Sequence, residues 1–252
     1  MGVRDLTRLL QRFAPTAIKE HHPHHYRGWS VAIDASLYLH RFVYAGQLQY
    51  AYPHVVGFYG LCRHLRAWKM RPVFVFDGEQ RAEAKERESE RRRRLKDQTE
   101  RELYASHGRA QRLERLVHLL KRVAYVTGDY VADIKRLLEL WGYLHITSND
   151  YEAEAMCVSL TAAGISQATI SEDTDAAAFG DYPLLRHFYV RDRPVFEMNF
   201  GVARQALGMT RRQFVDMCIL CGTDFSSTLE GIGPVRALKL MQKHGSIEEI
   251  VR

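Results

Sequence analysis

Seven acidic residues stand at the ends of apolar runs in this chain: Asp34, Asp77, Glu152, Glu154, Asp173, Asp175 and Asp224. Carboxylates crowded into one site repel and raise one another's pKa unless a cation holds them, and hard divalent ions with oxygen ligands fit that demand. For the acids to share a site, the elements carrying them must end at the same place. Four runs rich in β-branched residues, Ser30 to Ile33, Pro72 to Phe76, Tyr143 to Thr147 and Ala168 to Ser171, alternate with helical spacings such as Ala35 to Tyr44 and Val55 to Trp68. That alternation predicts an α/β fold, a mostly parallel twisted sheet flanked by helices, in which ligands bind beyond the carboxyl ends of the strands.

Each acid also has a plainer explanation. Asn149-Asp150-Tyr151-Glu152 reads as an N-cap with its partner acid three residues on, opening a helix over Ala153 to Ala163. Capping leaves Glu154 unexplained, since residues two apart on an ideal helix diverge. If both glutamates serve one metal, one binds directly and the other through water. Asp173 and Asp175 alternate along an extended segment and face the same way, as a metal pair or as solvated strand-end acids. After Asp181 the spacing predicts mainly helix: Gly201 to Leu207, Arg211 to Cys221, Pro234 to Lys243 and Ile247 to Arg252.

The 252 residues carry a net charge of +6, unevenly placed. Glu79 to Arg122 holds 14 Lys/Arg against 9 Asp/Glu, and so accounts for most of the excess. The segment lacks Pro and is rich in helix formers, with Arg81, Lys85, Arg92 and Lys96 at i, i+4, i+11 and i+15 on one helical face. Such a helical excursion is either a solvated charged surface or a seat for a polyanion, whose counterion release would supply affinity.

No run approaches a membrane span, and Leu6 stands where a myristoylation signal needs Ser or Thr. Cys62, Cys157, Cys218 and Cys221 lack framework or zinc spacing and read as buried free thiols in a reducing compartment. His21-His22-Pro23-His24-His25 reads as a solvated loop rather than a metal site. Gly231-Ile232-Gly233-Pro234 is a tight turn feeding a helix with Pro in its first turn, where backbone N–H groups can approach a phosphate, and Gly245 is a helix stop.

Taken together the chain resembles the structure-specific 5′ nuclease superfamily, and most closely the flap endonucleases. The resemblance rests on Met1-Gly2-Val3-Arg4-Asp5-Leu6, Val31-Ala32-Ile33-Asp34-Ala35-Ser36, Val75-Phe76-Asp77-Gly78, Glu152-Ala153-Glu154-Ala155, Ser171-Glu172-Asp173-Thr174-Asp175, Gly222-Thr223-Asp224-Phe225 and Gly231-Ile232-Gly233-Pro234, in unbroken order. It implies a PIN-like nuclease core with a helical cap or arch insertion and a C-terminal helix-two-turn-helix element. The implied organisation is a nuclease region over 1–95 that includes the start of the gateway, the gateway itself over 79–122, an internal nuclease region over 123–225, and a duplex-binding element over 226–252.

The implied activity is metal-dependent hydrolysis of DNA at junctions of single strand and duplex, in replication and repair and in the nucleus of a eukaryote. All seven acids fall on the family's metal positions, which would hold two Mg²⁺ or Mn²⁺ ions about 3.5–4 Å apart that activate water and clamp the scissile phosphate. Lys85, Arg87 and Arg91 would steer that phosphate, and Gly2, His40, Arg92, Gly231 and Gly233 would contact DNA, the last two through K⁺.

Several positions depart from the family. His40 replaces a stacking Tyr, Gln47 replaces an Arg, the loop from Gly46 to Pro53 is abbreviated, and Tyr125 and Gly128 replace lysines. Relatives continue beyond the position of Arg252 with further helices, a sliding-clamp motif and a basic tail. A catalytically silent scaffold binding nucleic acid or protein remains an alternative, though its mark would be lost acids. An aspartyl phosphatase would need a second acid just after Asp34, where Ala35-Ser36 stands.

Overall fold

The computed structural model describes residues 2–46, 49–78, 126–190, 193–226, 229 and 231–252. A seven-stranded sheet has the order β1-β7-β6-β5-β2-β3-β4. Its strands are β1 (Ile18–His21), β2 (Ser30–Asp34), β3 (Arg71–Asp77), β4 (Leu144–Ser148), β5 (Ala168–Ile170), β6 (Pro183–Arg186) and β7 (Val195–Asn199). Strands β6, β5, β2, β3 and β4 run parallel, while β7 pairs antiparallel with both β6 and β1.

The four expected strands are present as β2 to β5. The stretch after Asp181 is not mainly helical at its start, because β6 and β7 precede the helices, and β1 was not foreseen. Strand β6 is only four residues long and begins at Pro183, so its period is too short to register against the surrounding polar residues.

Alternation along the strands sorts side chains to two faces. Val31, Ile33, Phe74 and Phe76 pack with α2 (Ala35–Gly46), α3 (Pro53–Ala67) and α4 (Gly128–Trp141). Ala32 and Val75 face the other way, onto Ala153 and Cys157 of α5 (Ala153–Ala162). Two residues further along each strand, Asp34 and Asp77 therefore lie on the face of α5. Phe58 and Phe74 are fully buried in the first layer, each contributing about 1.5–3 kcal/mol of transfer free energy.

A second core gathers α1 (Leu6–Phe13), the short α6 (Ala176–Phe179), α7 (Phe200–Ala206), α8 (Arg211–Cys221) and α9 (Pro234–His244), followed by α10 (Ile247–Val251). Helix α8 opens with a capping box between Thr210 and Gln213. Helix α9 carries Pro234 in its first turn and stops at Gly245, which adopts φ +83° as expected of a glycine stop. Half-buried Arg–carboxylate contacts tie the turn before β6 to this core: Arg204 Nε lies 2.7 Å from Asp181 Oδ2, and Arg211 Nη1 lies 3.1 Å from Asp181 Oδ1.

The His-rich stretch is not an open loop. His21 ends β1, Pro23–Tyr26 form a 3-10 turn, and the His21 and His25 rings stack at 4.0 Å. Tyr26, fully buried, donates its hydroxyl to Glu197 Oε2 at 3.0 Å and so fastens this turn to β7. Removing that donor leaves a buried carboxylate short of a partner. Tyr26→Phe should lower stability by about 1–3 kcal/mol, read from the urea midpoint at an unchanged slope.

Candidate metal centre

The sheet order places β2 between β3, to which it connects directly, and β5, from which the chain goes on in the opposite direction to β6. This is a topological switch point, where an open α/β sheet leaves a crevice at its carboxyl edge. Asp34 is the last residue of β2 and Asp77 the last of β3. The ends are locked in place by close backbone approach: the Gly78 N–H donates to the Ser148 carbonyl at 2.7 Å, and a Cβ at Gly78 would lie 2.6 Å from that oxygen.

Two groups of three carboxylates result. Ligand oxygens of Asp77, Glu152 and Glu154 lie within 4.8 Å of one another, as do those of Asp173, Asp175 and Asp224. Asp34 stands between the groups, buried, and feels the charge of Asp77 from one and Asp173 from the other. All seven sequence-predicted acids thus come to one end of the sheet.

The route differs from the sequence reading at three points. The residue capping α5 is Glu152 rather than Asn149, and its side chain makes no capping bond. The α5 N-terminus is satisfied from outside, by the Ala153 N–H donating to Asp77 Oδ1 at 2.8 Å. Because Glu152 is extended (φ −64°, ψ 149°) rather than helical, it does not diverge from Glu154, and both carboxylates enter the same group. Asp173 and Asp175 are paired by a turn beyond the end of β5, the Asp175 N–H donating to Asp173 Oδ1 at 3.0 Å, not by strand alternation.

Two serines hold the carboxylates in register, and the sequence reading missed both. Ser36 Oγ accepts the Asp77 N–H at 2.8 Å. Ser171 donates its hydroxyl to Asp34 Oδ2 at 3.1 Å and accepts the Asp173 N–H at 3.1 Å, joining β2 to the Asp173 group. The only sequence signal for either is a small hydroxyl residue beside a strand-end acid. The Asp224 N–H reaches Asp175 Oδ2 at 3.4 Å, bringing the end of α8 to the same centre.

Gly2 packs directly against the second group. It adopts φ +89°, and a Cβ there would collide with the Asp173 carboxylate and with Thr174. The Thr174 hydroxyl donates to the Val3 carbonyl, and the Arg4 N–H to the Gly222 carbonyl, so the start of the chain is stitched to the acid-bearing turns. His40 is exposed and lines a cavity of ≈ 670 Å³ that opens beside Asp77 and Gly78, with Lys135 and Asn149. Gly231 (φ +75°) and Gly233 lie in the turn before α9, outside both carboxylate groups. Lys85, Arg87, Arg91, Arg92 and Gln47 fall outside the described residues.

The donor set suits hard divalent cations, being oxygen throughout, and it needs positive charge. Burial pushes Asp34 up to about 7, with Asp77 and Asp173 adding to the rise, while the Leu37 N–H and the Ser171 hydroxyl pull it down. The four cysteines are buried and free, and burial raises Cys62 and Cys221 to about 12, which makes them poor metal ligands.

Residues 1–99 match the XPG N-terminal domain and residues 145–224 the XPG I-region. The chain is 38% identical over 264 residues to flap endonuclease 1 of Danio rerio, covering 100% of this chain and 68% of that protein. It is 36% identical over 263 residues to flap endonuclease 1 of Xenopus tropicalis, with the same coverage. Among solved structures, the catalytic core of Rad2 in complex with DNA substrate matches at a TM-score of 0.73 and 26% identity, over 99% of this chain and 71% of that one. Flap endonuclease-1 from Methanococcus jannaschii shares the fold at a TM-score of 0.69 and 21% identity, over 96% and 79% of the two chains.

The raised Asp34 carries a pH signature. Between 3.8 and about 7 the folded chain keeps a proton there that the unfolded chain has shed, so without metal the stability due to this group falls as pH rises through that window. Each pH unit is worth about 1.4 kcal/mol, or about 2–4 °C in Tm for a domain of this size. Thermal melts in EDTA should show Asp34→Asn with a flatter dependence over pH 5 to 7.5 than the parent, and Mg²⁺ should raise the parent's Tm most at the high-pH end. An Asp34→Asn slope equal to the parent's would contradict this origin.

Proposed function

The chain belongs to the XPG nuclease family, and from that premise we propose that it is a structure-specific 5′ flap endonuclease with associated 5′–3′ exonuclease activity, hydrolysing DNA phosphodiester bonds at junctions of single strand and duplex. The observation that carries the reading is the meeting of two carboxylate triplets across Asp34 at the switch point of the sheet, in a chain whose relatives are flap endonucleases.

Asp77, Glu152 and Glu154 would hold one divalent ion and Asp173, Asp175 and Asp224 the other, with Asp34 placed to serve both. When bound, two Mg²⁺ or Mn²⁺ ions supply Lewis acidity and a reactive oxygen nucleophile at neutral pH. The protein's part is to fix geometry. The Ser171 hydroxyl and the Leu37 N–H set the Asp34 carboxylate, and the Ala153 N–H sets that of Asp77. Each acceptor is thereby held before substrate arrives, which is the preorganisation that charge stabilisation requires.

Lys85, Arg87 and Arg91 are assigned to steering the scissile phosphate, and Arg92, Gly2 and His40 to holding the substrate near the centre. His40 suits that place, since its exposed ring borders the cavity beside Asp77 and offers a small stacking face. The turn from Gly231 to Gly233 presents backbone groups at the start of α9 for duplex phosphates, directly or through K⁺.

The partner is therefore DNA with a 5′ flap or junction, and the working compartment the nucleus of a eukaryote. No helix among the described residues is long and apolar enough to cross a membrane. The silent-scaffold reading has no observation in its favour, because all seven acids are present and gathered.

Purified protein with Mg²⁺ should cleave a labelled 5′-flap duplex near the junction. Asp175→Ala should retain DNA binding in a gel-shift assay while losing cleavage by about a hundredfold or more. Binding without any Mg²⁺- or Mn²⁺-dependent product would return the scaffold reading. Affinity should also fall steeply with salt, the logarithm of the binding constant declining linearly with the logarithm of salt concentration, and a salt-insensitive constant would remove the phosphate-contact argument.

A further inference from the structure

Glu172 lies between Ser171 and Asp173 in the acid-bearing turn, yet its carboxylate belongs to neither triplet. Its Oε1 accepts the His187 N–H at 2.9 Å and Arg41 Nη1 at 3.4 Å. Its Oε2 lies 3.7 Å from Arg186 Nε and 3.9 Å from His187 Nε2. Three separate elements thus converge on one side chain: Arg41 from α2, Arg186 at the end of β6, and His187, which adopts φ +56°.

Both arginines are held by second contacts. Arg41 also donates to the Tyr189 carbonyl at 3.3 Å, and Arg186 to Thr7 Oγ1 at 3.0 Å. The three charged side chains are 20–34% exposed, so solvent weakens their attraction without abolishing it. The cluster lies close to the metal centre. Ser171 and Asp173, on either side of Glu172, are bonded to each other, and the Ser171 hydroxyl donates to Asp34. The buried Tyr38 hydroxyl feels the charges of Glu172, Arg41 and Asp34 together.

We infer that Glu172 is a positioning residue for the proposed two-ion centre: it holds the Arg41 and Arg186 guanidiniums away from the carboxylate triplets, so that divalent cations meet no built-in competitor there. The inference rests on the two-ion reading above. A guanidinium is weakly hydrated and fits a carboxylate through two parallel hydrogen bonds. Deprived of Glu172, Arg41 would be drawn toward Asp34, whose charge acts on the same Tyr38 hydroxyl that Arg41 acts on. An arginine seated there would neutralise the acids and supply no Lewis acidity, so the centre would be stable and inactive.

The test is Mn²⁺ binding to the intact chain without DNA, by calorimetry, alongside flap cleavage for the parent, Glu172→Gln, and Glu172→Gln with Arg41→Gln. Glu172→Gln should weaken Mn²⁺ binding by about tenfold or more and lower kcat at fixed Mg²⁺, with KM for the flap within about twofold of the parent and activity regained at high Mg²⁺. The double variant should recover Mn²⁺ affinity to within about threefold of the parent, since Arg41 is gone and Arg186 keeps its tether to Thr7.

A Glu172→Gln protein that binds Mn²⁺ like the parent would overturn the inference. So would a double variant as weak as the single, which would mean that Glu172 merely shapes the turn. If the single variant does not fold, a double variant whose Mn²⁺ affinity falls more than about threefold below the parent's overturns the inference. A parent chain that neither binds Mn²⁺ nor cleaves would instead overturn the two-ion reading, which keeps the two failures distinct.

Discussion

Mutual repulsion among carboxylates at the carboxyl edge of the sheet is the constraint on which the rest of this molecule turns. Buried negative groups cannot share a site without compensation, and among the described residues hydrogen bonds supply part of it. Backbone N–H groups at two helix starts, Leu37 and Ala153, and the hydroxyl of Ser171 meet individual oxygens. These bonds orient the acids and lower the repulsion, but they bring no formal positive charge. Asp34, facing a member of each triplet, is pushed by burial toward its neutral form. The proposed pair of divalent cations would complete the balance.

The architecture follows from where those groups must stand. Strand alternation turns Asp34 and Asp77 to the face covered by α5, while large apolar neighbours such as Ile33 and Phe76 fill the opposite layer. The same strands therefore supply both the core and the site, without a polar residue having to cross the hydrophobic layer. The other triplet comes from turns, and these are pinned by the start of the chain at Gly2 and Val3 and by the end of α8. Arginines are paired with carboxylates outside the triplets: Glu172 engages Arg41 and Arg186, and Asp181 engages Arg204 and Arg211.

Much of this was legible in the residues themselves. Strands β2 to β5 announce themselves by β-branched runs that end at acids or turns, and the helices from Ala35 to Trp68 and from Arg211 onward by apolar spacing. Glycine and proline at the start of α9, and Gly245 at its end, fulfil local rules of chain geometry that need no tertiary partner. Strands β1, β6 and β7 were hidden for a physical reason beyond length. They are four or five residues long and exist because a neighbour's backbone pairs with them, as Ile18 does with Met198 and Leu184 with Met198.

The sequence by itself determined that seven acids lie at the ends of apolar segments, because residue type and hydrophobic period are local properties of the chain. Which acids group together was decided only by tertiary structure. Asp77 sits 75 residues from Glu152, and Asp175 sits 49 from Asp224, and only the folding of β3, α5, β5 and α8 onto one edge brings them within ion-sharing distance. The pairing of Glu152 with Glu154 shows the same dependence. Helical spacing alone would separate them, but the Asp77 carboxylate meets the α5 N-terminus and leaves Glu152 extended, so the helix begins one residue too late to turn it away.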